Sequence, residues 1–90
     1  MTFHREFLQP KYSTQKSFGY KAEVIRTGQV HRLYSYGTHV ATVDRSTGEA
    51  TIHEFASATT TRHIKEFLKQ HGFVAESKEQ MDRDYGNWEK

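Results

Sequence analysis

The feature that most restricts this chain is a series of turn signals spaced one short strand apart. Thr27-Gly28, Ser35-Tyr36-Gly37 and the run Asp44-Arg45-Ser46-Thr47-Gly48-Glu49 punctuate the stretch from Phe18 to Phe55. Between them the pattern has period two, as where Tyr20, Ala22 and Val24 alternate with Lys21, Glu23 and Ile25. Short alternating runs bounded by glycine-bearing turns read as successive antiparallel hairpins.

Turn chemistry and apolar pattern together predict a register. A first turn closed with Arg26 opposite Gln29 sets Glu23 against Arg32 on one face and Ala22 against Leu33 on the other. Ser35-Tyr36-Gly37 reads as a three-residue loop with Gly37 in the left-handed position. That loop pairs Tyr34 with Thr38 and His31 with Ala41. A two-residue loop would send Ala41 and Val43 to the opposite face, because strand side chains alternate strictly. In the third hairpin Asp44 faces Glu49, so Ala41 meets Ile52 and Val43 meets Ala50. One core face results: Tyr20, Ala22, Val24, Leu33, Ala41, Val43, Ala50 and Ile52.

Such a face needs a cover, and the spacing predicts a helix near Thr60–His71. Ser57 and Thr59, Thr60 and Thr61 are its candidate N-caps. Ile64, Phe67, Leu68 and His71 fall on one helical face, and Gly72 followed by Phe73 suits a Schellman ending. Ser77 and Gln80 form a second capping pattern, with Met81, Tyr85 and Trp88 behind it. The expected fold class is α+β: an antiparallel sheet of three to four strands under one main helix, with room for a short C-terminal helix. Residues 1–17 read as an N-terminal arm, 18–73 as the core domain and 74–90 as an acidic tail or short helix.

Ninety residues make one small domain with a thin stability margin. A second copy in a homodimer would add burial. The absence of cysteine removes disulfides, thiolate nucleophiles and thiolate metal ligands. No segment reads as a signal peptide or membrane span, so a cytoplasmic protein is expected, with no membrane partner. Residues 1–72 carry ten Lys/Arg and six Asp/Glu, whereas residues 73–90 carry three and five. A mildly basic body with an acidic tail permits nucleic acid without requiring it.

The six histidines show no zinc-ligand spacing. No nucleophile elbow or phosphate loop occurs. No catalytic residue, metal or cofactor is therefore assigned. The predicted register sets His31 and His39 on one face of the sheet and His53 on the other. The second face is the candidate partner-binding surface, through Lys21, Arg32, Tyr34, His53 and Phe55, with Ile25, Val30 and Val40 adding apolar area. Mixed aromatic and basic side chains on an open sheet suit stacked bases and phosphates, and equally a protein partner. Arg62 at the helix start is a candidate anion or phosphate contact. Tyr85 and Trp88 are candidate tail contacts.

Within residues 33–73, Ser35-Tyr36-Gly37-Thr38, Val40-Ala41, Thr60-Thr61, His63-Ile64 and Phe67-Leu68 resemble a family of small domains of unknown function found in bacteriophages and plasmids. The resemblance implies a hairpin-plus-helix module on mobile elements, with no catalytic activity to carry over. The expected function is thus non-enzymatic binding of a host protein or nucleoprotein complex, as an inhibitor of host defence or nucleic-acid processing in the anti-CRISPR manner. In that setting the protein works in the host cytoplasm. The alternative is a DNA- or RNA-binding module using the open sheet face. A small hydrolase or nuclease is the third class.

Overall fold

A computed structural model describes residues 3–13, 16–55 and 57–86, Phe3 by its backbone alone. The fold is α+β, as expected, and the described residues form five strands, where three to four were expected, and two helices, the second being the short C-terminal one for which the sequence leaves room. The strands are β1 (Phe3–Phe7), β2 (Ala22–Thr27), β3 (Val30–Ser35), β4 (Thr38–Asp44) and β5 (Glu49–Ile52). They form one antiparallel sheet in chain order. Helices α1 (Ala58–Gln70) and α2 (Lys78–Tyr85) follow. Neither is long and apolar enough to cross a membrane.

The added strand comes from the stretch read as an arm. Backbone pairing joins β1 to β2 over five residues, and the side chains that meet across it are charge pairs rather than an apolar alternation. Arg5 Nε lies 2.6 Å from the Glu23 carboxylate, and Arg26 reaches Glu6 at 2.7 Å. Pairing of this kind leaves no hydrophobic period to read. The Leu8 amide then donates to the Ala22 carbonyl, and the Leu8 side chain is buried.

The first hairpin is shifted two residues from the expected register. Thr27 faces Val30, so Val24 meets Leu33 and Ala22 meets Ser35. A shift of two preserves the faces, and Ala22, Val24 and Leu33 are buried. The expected Glu23–Arg32 pair is replaced by Glu23 opposite Tyr34 and Ile25 opposite Arg32. Tyr20 is 80 % exposed rather than in the core, because it lies in the turn before β2 and outside the alternation.

The second hairpin differs in kind. Ser35 faces Thr38 across a two-residue turn, with Tyr36 at φ 53° and Gly37 at φ 82°. Two positive φ values mark the primed turn whose twist matches paired strands. The parity this turn would invert is restored at once by a β-bulge. Tyr34 faces His39 but Leu33 faces Ala41, leaving Val40 as the extra residue on β4. Ala41 and Val43 thus stay in the core, and Val40, expected on the open face, is fully buried beside them. The third hairpin has the expected register, with Asp44 opposite Glu49 and Ala41 opposite Ile52.

Helix α1 covers this core face with Ile64, Phe67 and Leu68, all fully buried. Ser57 is the N-cap and accepts from the Thr60 amide. The far end is a Schellman motif, in which Phe73 N–H donates to Leu68 O and Gly72 N–H to Lys69 O, with Gly72 at φ 83°. Helix α2, capped by Ser77, adds Met81 to the same core. Both helices therefore lie on one side of the sheet.

Two polar groups inside the domain tie its parts together. The Glu66 carboxylate, 2 % exposed, accepts from the successive backbone amides of Lys11, Tyr12 and Ser13 and from the Gln70 side chain. Gln70 also donates to the Gln9 carbonyl. The segment after β1 is thereby fastened to α1. The Ser35 hydroxyl lies 2.9 Å from both Thr60 Oγ1 and His63 Nδ1, joining β3 to α1.

Two substitutions check this architecture. Gly37→Val has open space for its side chain, so its cost comes from the backbone alone and should exceed about 1 kcal/mol in a denaturant melt. Glu66→Ala strands the amides of residues 11–13 and should cost about 3 kcal/mol. Hydrogen exchange should then show these amides losing protection, while Glu66→Gln, which keeps an acceptor, loses less.

Candidate functional site

The side of the sheet away from the helices carries two parallel rows of side chains. Cross-strand neighbours on one face form such rows because each strand presents every second residue there. The first row crosses the sheet from Phe7 through Glu23 and Tyr34 to His39. It ends on His53, whose ring centroid lies 4.6 Å from that of His39. Tyr34 and His39 are stacked at 5.1 Å, with their planes 27° apart. These separations follow the spacing between neighbouring strands, about 4.8 Å. The second row is Arg5, Ile25, Arg32, Thr42 and Thr51.

The bulge at Val40 builds the aromatic row. Without it, His39 would share a face with Ala41 and point into the core. With it, His39 stands beside Thr42 and His53, and the Thr42 hydroxyl bridges them, 2.8 Å from His39 Nε2 and 2.9 Å from His53 Nε2. A hydroxyl has one proton, so it donates to one imidazole and accepts from the other. The expected opposition of His39 and His53 is thereby corrected. His31 alone of the three faces the helices. Burial holds both open-face imidazoles below the ordinary histidine value, helped at His39 by the positive charge of Arg32 and by His53 itself. They are neutral at neutral pH and pack against one another as partly exposed rings. Glu23, the acid in the row, is neutralised by Arg5.

The structure brings together three of the expected surface residues, Arg32, Tyr34 and His53, and adds His39. The others lie elsewhere. Lys21 precedes β2, and its ammonium sits 5.8 Å from the centroid of the Tyr36 ring. Phe55 lies beyond the end of β5, packed partly buried against the core with Lys78 over its ring. Arg62 is exposed on α1, across the sheet from Arg32, where it lines a shallow groove with Lys65 and Tyr12. Tyr85 turns inward, its hydroxyl donating to the Val74 carbonyl and its ring edge-on to Phe73. Trp88 lies outside the described residues.

The contact most like a catalytic pair is Ser35 with His63. Both are buried, at 2 % and 1 % exposure, and the serine hydroxyl is shared with Thr60, so the contact fastens the interior. Phe18 packs edge-on against His63.

Residues 7–83 match a family of unknown function, DUF8033. No curated protein and no solved structure matches the chain.

Burial is the largest cause lowering the pKa of His31, His39, His53, His63 and His71 from 6.5. A depressed folded value means that the unfolded chain binds more protons in acid. Stability is then complete above the unfolded value and is lost as pH falls through the folded ones. The melting temperature should therefore drop between about pH 7.5 and about pH 5, before carboxylates titrate. A flat circular-dichroism melting profile across that window would contradict the burial of these rings.

Proposed function

We propose that this chain, which belongs to that family of unknown function, is a binding module whose open sheet face takes single-stranded nucleic acid. The observation that carries this reading is the pair of rows on that face: an aromatic row of Tyr34, His39 and His53 beside a polar row containing Arg5 and Arg32. Partly exposed aromatic rings in a row offer stacking partners to bases whatever their identity. The Arg32 guanidinium, and the Arg5 nitrogens not taken by Glu23, offer donors to the phosphates. With so few cations, stacking contributes more of the affinity than charge. Nothing in this reading requires turnover, since the Ser35–His63 contact is closed to substrate.

A protein partner is the second reading, favoured by one observation. Phe7 and Tyr20, 41 % and 80 % exposed, pack edge-to-face at 4.9 Å at the β1 border of the same face. Exposed aromatic pairs of this kind anchor protein interfaces. In the mobile-element setting implied by the sequence resemblance, a host nucleoprotein complex would meet both patches. Inhibition of host defence or nucleic-acid processing would follow from occupying that surface.

Fluorescence anisotropy with short single-stranded oligonucleotides separates these readings. Tyr34→Ala should weaken binding by about 1–3 kcal/mol, the value of one stacked base. The salt slope should be shallow, between about −1 and −2, because few phosphates are neutralised. Absence of binding at low salt would leave the protein reading, for which Tyr20→Ala is the corresponding disruption.

A further inference from the structure

On the helix side of the sheet lies a cleft of about 670 Å³ between β3, the β4–β5 turn and the end of α1. This is within the size range of small-molecule sites. Three cations, Lys11, Arg26 and Arg45, line it against a single acid, Asp44. That acid is already engaged, because its carboxylate accepts from the amide and hydroxyl of Ser46. Arg26 spends one nitrogen on Glu6, while its buried Nε has no hydrogen-bond partner among the described residues.

At the base of the cleft His31 Nδ1 and His71 Nε2 are 2.7 Å apart, and His71 Nδ1 lies 2.8 Å from the Phe67 carbonyl. These contacts have a forced direction. A carbonyl only accepts, so His71 carries its proton on Nδ1 and, as a neutral ring, offers the lone pair of Nε2. His31 must then donate from Nδ1. Its Nε2 has no hydrogen-bond partner among the described residues and is free to gain a proton. Gaining it turns His31 into a donor without disturbing either hydrogen bond behind it.

We infer that this cleft is a separate ligand site for a phosphate monoester of nucleotide size, with the phosphate held by Arg26, Arg45 and a protonated His31. Tyr12 and Phe73 on the cleft wall supply flat surface for the rest of the ligand. Without ligand, His31 is kept neutral by burial and then by His71, Arg26 and Arg45, against the opposing charge of Glu6. Lys11 and Asp44 complete the charged lining. A bound dianion reverses the effect of the arginines and draws one proton onto Nε2. Binding therefore takes up a proton and strengthens as pH falls. The site is distinct from the open face, because His31 and Arg32 project to opposite sides of β3.

The test is an NMR titration of the full chain with sodium sulfate against sodium chloride at matched ionic strength. Sulfate keeps its charge across the relevant range, so any pH dependence belongs to the protein. The expected result is saturable shifts in the Arg45–Gly48 amides and the His31 ring. Affinity should be several-fold tighter at about pH 6 than at about pH 7.5. Arg45→Ala, at an exposed turn position, should weaken it about tenfold. Shifts equal for sulfate and chloride, or unchanged in R45A, would overturn the site. A second comparison needs no variant. Adenosine monophosphate should bind there more tightly than adenosine, and equal binding would overturn the phosphate assignment. A 5′-phosphorylated oligonucleotide shifting the same amides more strongly than the nucleotide would identify the phosphate as that of a nucleic-acid end.

Discussion

The extra residue in β4 at Val40 connects the two halves of the architecture. A two-residue turn at Tyr36-Gly37 suits the twist of paired strands, but by alternation it would turn Ala41 and Val43 to solvent. The bulge absorbs that conflict within one residue of the last close pair. Downstream of it the core ladder of Ala41 with Ile52 and Val43 with Ala50 forms as the apolar pattern demands. Upstream of it His39 is left on the other side of the sheet, stacked on Tyr34 and beside His53. One local irregularity thus sustains both the hydrophobic core and the aromatic row, which is why bulges are commonly found where a side chain must be re-aimed.

Around that core, polar interactions do much of the fastening. A domain of this size buries a modest apolar area, and here charge pairs accompany the backbone ladder of the edge strand β1 while the Glu66 carboxylate gathers three consecutive amides. A buried carboxylate without a cationic partner is acceptable only when its oxygens are fully hydrogen-bonded. Glu66 meets that condition with backbone and amide donors alone. The cost is that residues 9–13 and α1 become one cooperative unit, so the segment that reads as a loose arm is part of the fold.

The candidate surface was partly legible for a simple reason. Arg32 and Tyr34 lie on β3 and His53 follows β5, where strict alternation carries the prediction as far as the register is right to within two residues. His39 was not legible, because a bulge has no signature in an alternating sequence. Phe55 and Tyr85 fail for the opposite reason. Phe55 lies past the end of β5 and Tyr85 is the last residue of α2, and at both places the ring turns toward the core, where its partial burial outweighs exposure. Lys21 precedes its strand, and its long stem lets the ammonium settle over Tyr36. The cleft at His31 and His71 joins residues forty positions apart, a meeting that depends on where the end of α1 lands on the sheet.

The sequence by itself determined the α+β class, the hairpin positions, the core positions Ala22, Val24, Leu33, Ala41, Val43 and Ile52, and the covering helix with its cap and its Schellman ending. These follow from local periodicity, turn residues and capping chemistry, which act over a few residues. Tertiary structure alone decided the fifth strand, the bulge, the position of His39 and the pairing of His31 with His71. Each of those depends on which distant charge, amide or ring lies opposite, and no local pattern encodes that.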